Sequence, residues 1–223
     1  MAETRPVVAP AISASWAVQR TAGLTAVQRA MHRRILQAFA GGAVPTREQL
    51  TTWTAQCDDD DVMAVLEARD LMHRDPHSGA VAVAYPFSAA PTAHRVRLAT
   101  GVEVFAMCAI DALGIAFMLD APTHVRSSDP VTGAPIQVTV RVSASSQWSP
   151  ADAVVVLACS DSGVTSADCA CSHTNFAVCA HRGRRVLEKI PGSCGSVLSM
   201  PDAIALSRTT FGTLLDSHPT ADT

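Results

Sequence analysis

Aromatic residues and long apolar runs are both scarce in this sequence. Phe, Trp and Tyr make up 4% of the 223 residues, so the core has to be built mainly from aliphatic side chains. The chain has no apolar run of the roughly 18 residues that a membrane-spanning helix needs. Its N-terminus also lacks the basic start and apolar stretch of a secretory signal. We therefore expect a cytoplasmic protein that does not enter the membrane.

An excess of positive charge is missing as well. The formal net charge is −3, from 17 Lys and Arg against 20 Asp and Glu, which provides no general attraction to nucleic acids or anionic membranes. Hydrophobic residues reach 48% and charged residues 17%, a balance typical of folded globular proteins and not of disordered chains. The length leaves room for one large domain or two small ones.

The first third of the chain has the pattern of three helices followed by a β-hairpin. We predict residues 1–20 as a flexible arm. Thr25 opens a stretch with apolar residues four apart, and Thr46 opens a second helix with a capping-box spacing. The third helix is preceded by Asp58–Asp61, and a hairpin follows it. The sequence therefore predicts a winged-helix-like domain over residues 21–88.

Winged-helix domains often bind DNA through their third helix. Here four aspartates, Asp58–Asp61, stand at the start of that helix and would repel phosphates. A metal-responsive winged-helix regulator is therefore only a minor alternative, and we expect no nucleic acid partner.

Beyond Pro86 the chain mixes short β-branched strands with apolar helices in no regular order. MCAIDALGIAFML predicts a buried helix, and THVRSSDPVTGAPIQVTVRV predicts two strands joined by a turn. Near the C-terminus, Pro201 separates a strand-like start from a helix. We predict an α+β fold, in which a mixed α/β domain with mainly antiparallel strands occupies residues 89–223.

Seven cysteines in a chain expected in the reducing cytoplasm indicate metal binding or catalysis more than disulfides. Cys108 stands near the predicted start of the buried helix, where the positive helix end favours the thiolate. Asp111 follows three residues later and lies on the same helical face. A thiol and a carboxylate so placed fit a nucleophile and a proton carrier. The spacing by itself, however, favours a buried cysteine beside an early-helix acid.

The stretch from Asp168 to His181 concentrates three cysteines and two histidines in fourteen residues. Structural zinc sites prefer Cys-x₂₋₄-Cys pairs separated by a longer loop, and the spacing of Cys169 and Cys171 does not match. The polar side chains of this stretch predict a loop. A zinc or copper site is still an alternative, with Cys169, Cys171, His173, Cys179 and His181 as its ligands.

Four stretches resemble the alkylmercury (organomercurial) lyase family. VEVFAMCAIDALGIAFML resembles that family's active-site strand and helix, and RSSDPVTGAPIQVTV resembles the hairpin that follows. CSHTNFAV is similar to the family's second cysteine segment, and SVLSMPDAIALSRTTFGTLL is similar to its C-terminal helix region. A winged-helix-like N-terminal domain also belongs to that family's architecture.

The resemblance implies an enzyme that breaks the carbon–mercury bond of organomercurials by protonolysis. It makes Cys108 the first mercury-binding nucleophile, Asp111 the proton-transferring acid and base, and Cys171 the second thiol. It implies no organic cofactor, because mercury is substrate and product; small thiols or mercuric reductase would accept the Hg(II). The chain departs from the family where Cys169 adds a rival second thiol and where Asp129 stands near the place of a structural cysteine. A homologue that binds metal without cleaving the bond is the alternative.

Overall fold

The structure is a computed structural model that describes residues 16–57, 59, 61–159, 165–190 and 194–215. The α-helices are α1 (Trp16–Thr21), α2 (Ala26–Ala40), α3 (Arg47–Thr54), α4 (Val62–Ala68), α5 (Ala109–Met118), α6 (Ala180–Leu187) and α7 (Met200–Phe211). The strands are β1 (Met72–Arg74), β2 (Val81–Ala84), β3 (Phe87–Ser88), β4 (Arg95–Arg97), β5 (Glu103–Ala106), β6 (Thr123–Ser128), β7 (Pro135–Val140), β8 (Gln147–Ser149), β9 (Val154–Cys159), β10 (Asn175–Ala177) and β11 (Cys194–Ser199). A π-helical segment, Ala167–Cys171, lies between β9 and β10.

The helices and hairpin predicted near the N-terminus are confirmed. The Thr25 side chain accepts the backbone N–H of Gln28, whose own side chain accepts the N–H of Thr25, so α2 begins with a capping box. Thr46 and Gln49 form the same arrangement at the start of α3. Strands β1 and β2 pair in an antiparallel hairpin. That these elements constitute a winged-helix-like domain stays a prediction.

The predicted arm falls partly on residues that form a helix. Residues 1–15 lie outside the described residues, as do Asp58 and Asp60 of the acidic run. Residues 16–20 belong to α1, and Trp16 at its start is only 3% exposed. The ring of Trp16 packs against two other aromatic rings. Burial of this large side chain holds α1 on the fold, which the arm prediction did not foresee.

In the described part of the chain the strands form two antiparallel sheets. The larger has the strand order β1-β2-β3-β5-β4-β6-β7-β8, and the smaller has the order β10-β9-β11. The predicted α+β class with mainly antiparallel strands is therefore confirmed. The larger sheet continues across the predicted domain boundary after residue 88, because β3 pairs with β5. The division into two domains stays a prediction.

Helix α5 lies at the centre of the core and carries part of the site. All of its residues are buried, as its apolar sequence predicts. Helix α7 approaches it closely, since a Cβ atom on Gly114 would lie 2.2 Å from the Phe211 ring. The Ser207 hydroxyl of α7 donates to the carbonyl oxygen of Ile110 at 3.0 Å. Among the described residues, no helix combines the length and apolar character needed to cross a membrane.

Asp129 joins the turn between β6 and β7 to the residues after β10. Its carboxylate accepts the N–H groups of Val131 and Thr132, each at 2.9 Å, and the N–H of Val178 at 3.1 Å. Burial acts to raise the pKa of Asp129, but these hydrogen bonds outweigh it and lower the pKa. The carboxylate thus links two segments that lie far apart in the sequence.

Candidate active site

Cys108 lies at the junction of β5 and α5. It is the N-cap residue of the helix, and its sulfur accepts the backbone N–H of Asp111 at 3.5 Å. The neighbouring backbone is held on both sides, since Met107 N–H donates to Pro86 O and Ala109 N–H donates to Thr174 O. Strand pairing and the helix start together determine where this thiol lies.

Cys171 lies close to Cys108 but belongs to a different segment of the chain. It is the last residue of the π-helical segment, and Thr174 just beyond it bonds through its hydroxyl to the backbone of Ala158 in β9. The predicted loop over residues 168–181 is wrong, because this stretch contains most of the π-helical segment, β10 and the start of α6. Most of the backbone of this stretch therefore forms regular secondary structure.

Cys108, Asp111 and Cys171 form one buried cluster. A ligand atom from each lies within 4.8 Å of the others. The Cys171 thiol donates to Oδ2 of Asp111 at 3.5 Å. Cys108 is 0% exposed, Asp111 4% and Cys171 5%. The two thiols and the carboxyl group are thus close enough to contact one metal atom.

The pKa values of these three groups are raised, by contacts within the cluster at Cys171 and by burial at all three. Burial raises the pKa of Asp111 to about 7, against the opposing effect of hydrogen bonds with both thiols. It also raises the pKa of Cys108 to about 11. The pKa of Cys171 is raised by its contact with Cys108 and by burial. At Cys108 desolvation therefore outweighs the helix end, which by itself would favour the thiolate.

A narrow cavity of about 10 Å³ opens beside Asp111 and Cys171, close to the least space that holds one water molecule. Its other lining residues are Trp16, Tyr85, Ser166, Thr210 and Phe211. No motif in the sequence indicated this lining, and the rarity of aromatic residues was the one available signal. A larger cleft of about 580 Å³ lies between α3, α4 and the β1–β2 turn, and it contains no predicted site residue.

The alternative zinc or copper site does not assemble. Among the residues that the structure describes, the group of three or more metal-ligating side chains consists of Cys108, Asp111 and Cys171. Cys171 is thus the one proposed ligand of that site that joins such a group. Within the described part of the chain, the other four proposed ligands belong to no such group: Cys169, His173, Cys179 and His181. Cys169 is partly buried and packs against the core.

Comparison with known proteins agrees with this arrangement. The sequence model of the family described as alkylmercury lyase matches residues 87–212, which include all three clustered side chains. An alkylmercury lyase of Streptomyces lividans is 29% identical over 176 residues, 79% of each chain. One of Bacillus cereus is 27% identical over 178 residues, 80% of this chain and 79% of the relative.

The fold also has a counterpart among solved structures. The mercury-bound form of MerB2 superposes with a TM-score of 0.75 at 23% identity, covering 91% of this chain and 98% of that one. At this identity the likeness concerns the fold alone. The family match covers more than half of the chain and includes the cluster built from α5 and the π-helical segment. This chain belongs to the alkylmercury lyase family.

Proposed function

We propose that this protein cleaves the carbon–mercury bond of organomercurials by protonolysis. The observation that carries the proposal is the convergence of Cys108, Asp111 and Cys171 in one buried cluster. Mercury(II) is a soft ion that prefers thiolates to nitrogen or oxygen ligands. Two thiolates bound at about 2.3 Å from one metal lie at most about 4.6 Å apart. The separation of the cluster atoms, no more than 4.8 Å, supports capture of a single mercury atom by both sulfurs.

The reaction proceeds in balanced steps. Asp111, as the carboxylate, takes the proton of one thiol, and the resulting thiolate binds R–Hg⁺. The second thiol loses its proton to solvent and binds the same mercury, which increases the electron density on the metal and polarises its bond to carbon. Asp111 then delivers its proton to the departing carbon. The products are RH, a bis-thiolate Hg(II) and one released proton.

The electrostatics of the free protein support these roles. The pKa of each thiol is raised, that of Cys108 by burial and that of Cys171 by its contact with Cys108 and by burial, which favours the protonated thiols near neutral pH. A base must therefore stand beside them, and the Asp111 carboxyl group is hydrogen-bonded to the Cys171 thiol. Its pKa of about 7 allows it both to accept and to release a proton near neutral pH.

The organic group of the substrate lies, in this proposal, against the aromatic lining formed by Trp16, Tyr85 and Phe211. Because the cavity is narrow, a methyl group fits with the least rearrangement. We further propose that small thiols or a mercuric reductase accept the Hg(II), and that no organic cofactor takes part. A cytoplasmic location suits this chemistry, because both cysteines have to stay reduced.

The proposal is tested with the whole protein and methylmercury in the presence of an excess small thiol. We expect methane to accumulate in the headspace well above a protein-free baseline, and CH₃D to replace it in D₂O because the proton comes from an exchangeable group. Gas chromatography with mass detection measures both products. Methane at the baseline rate, with protein that binds mercury, would refute the lyase activity.

The pH dependence of kcat/KM provides a further prediction. The free enzyme needs Asp111 as a carboxylate to deprotonate a thiol, and its pKa is about 7. We therefore expect kcat/KM to fall about tenfold per pH unit below pH 7 and to level off above it. Initial rates of methane release between pH 5.5 and 8.5, corrected for the protein-free rate at each pH, measure the profile. A flat profile across pH 7 would contradict the base role of Asp111.

A further inference from the structure

The residues that lead into the π-helical segment are held by a carboxylate from the N-terminal part of the chain. Oδ2 of Asp70 accepts the backbone N–H of Ser166 at 3.0 Å and its hydroxyl at 2.5 Å. The same oxygen accepts Nη2 of Arg20 in α1 at 2.6 Å. One oxygen atom therefore fixes both the backbone and the side chain of Ser166, five residues before Cys171.

The next residue of this segment is held in the same way. The Tyr85 hydroxyl accepts the backbone N–H of Ala167 at 2.6 Å. Two successive backbone N–H groups at the start of the segment are thus bound by side chains that precede residue 87. The family match begins only at that residue, so the anchors of the second thiol lie outside the matched region.

Asp70 is well suited to a fixed anchoring role. Its φ angle of 53° lies in the left-handed region, which few non-glycine residues adopt and which Asp adopts more readily than most. His73 Nε2 lies 2.7 Å from the other carboxylate oxygen, Oδ1. Partial burial opposes ionisation, but hydrogen bonds with His73, Arg20 and Ser166 outweigh it and lower the pKa of Asp70 to about 2. The anchor stays charged at any pH at which the protein is assayed.

We propose that Asp70 is a positioning residue that sets where the Cys171 thiol lies relative to Cys108 and Asp111. This inference rests on the proposed function, in which both sulfurs must reach one mercury atom. The π-helical segment transmits the position, because Asp70 and Tyr85 hold its first turn and Cys171 is its last residue. A displacement of about 1 Å at a reacting group costs on the order of 10²-fold in rate.

The experiment compares Asp70→Ala with Glu67→Ala as a matched control. Glu67 also lies in the N-terminal part and binds an arginine, Arg74, at 2.6 and 3.0 Å, but it makes no contact with the π-helical segment. In the methylmercury assay we expect Asp70→Ala to lower kcat by about 10- to 100-fold with KM nearly unchanged, because capture by Cys108 is retained. Glu67→Ala is expected to match the wild type.

A second readout does not depend on activity. Alkylation of each thiol by a maleimide, followed by peptide mass spectrometry, gives a rate for every cysteine. We expect Asp70→Ala to change the rate at Cys171 about tenfold while that of Cys57 stays as in the wild type, and Ser166→Ala to change it less, because the Ser166 N–H bond remains. Should Asp70→Ala not fold, Ser166→Ala and Tyr85→Phe carry the test.

The two proposals fail in different ways. If the wild type releases no methane but Asp70→Ala still alters Cys171 selectively, the lyase activity is refuted and the positioning role stands. If wild-type protein is active and Asp70→Ala retains full kcat and an unchanged Cys171, the positioning role is overturned. Equal changes at all cysteines in an Asp70→Ala protein that folds, together with a lowered Tm, would also overturn it, since they indicate a general loosening of the structure.

Discussion

Replacing either Cys108 or Cys171 with serine is expected to abolish hydrocarbon release, whereas Cys169→Ser is expected to retain it. A serine oxygen is a hard ligand that cannot replace a thiolate on mercury. We expect a loss of at least about 10³-fold for each of the first two variants, the scale on which removal of a covalent nucleophile acts. Cys169 lies outside the cluster that holds the other two sulfurs, so its thiol is not needed for the chemistry.

The roles proposed for the two thiols should also differ in the species that accumulates when one of them is replaced. With one equivalent of methylmercury, Cys171→Ser is expected to form a covalent adduct on Cys108 that native mass spectrometry detects, without release of methane. Cys169→Ser is the matched control, because it removes a sulfur from the same π-helical segment. Loss of activity in Cys169→Ser together with an active Cys171→Ser would reverse the assignment of the second thiol.

Replacing Asp111 with asparagine is expected to inactivate the enzyme and to stabilise its fold at the same time. Asparagine keeps the shape of the side chain but cannot carry a proton from sulfur to carbon. Loss of a general acid and base costs about 10² to 10⁴-fold. We expect methane release to fall by at least that factor, because the variant lacks both the base that deprotonates a thiol and the acid that protonates the carbon.

The expected gain in stability follows from the raised pKa of Asp111. Folding favours its neutral form, with a pKa of about 7 against the ordinary value of 3.8. The stability that the protonated group provides is therefore complete below pH 3.8 and is lost as the pH rises through about 7. At pH 8 the wild type is weakened by on the order of 2–4 kcal/mol, which asparagine avoids.

Urea denaturation at pH 8 and at pH 5 measures this effect. We expect Asp111→Asn to raise the free energy of unfolding at pH 8 and to raise it less at pH 5, where Asp111 is largely protonated. Asp129→Asn is the matched control, because the pKa of that buried carboxylate is lowered by three backbone N–H groups. The same substitution there is expected to destabilise the protein. A destabilised Asp111→Asn at pH 8 would contradict the buried-charge argument.

Local sequence patterns predict many of the helices and strands, because interactions between residues close in the sequence determine where these elements form. The capping residues Thr25 and Thr46 begin helices where predicted, since a cap and its partner lie three residues apart. The relation of Cys108 to Asp111 is likewise local, because one helical turn brings them together. The short strands β8 and β10 escaped prediction, since three residues provide too little periodicity.

Local sequence patterns do not tell whether Cys169 or Cys171 is the second thiol of the site. The two residues are separated by a single alanine and differ little in composition around them. In the structure Cys171 is 5% exposed and bonded to Asp111, whereas Cys169 stays outside the cluster. A π-helical turn, which no sequence pattern indicated, determines which of the two sulfurs points into the site.

The sequence by itself determined the α+β class, the helix that carries Cys108 and Asp111, and the family to which the chain belongs. Only the tertiary structure decided that Cys171 completes the cluster, that Trp16 of α1 lines the cavity beside it, and that the pKa values of both thiols are raised. The physical reason is that a pKa shift depends on burial, and that a contact between residues 60 positions apart depends on how the chain packs. Burial is a property of the packed core, which neighbouring residues in a sequence do not specify.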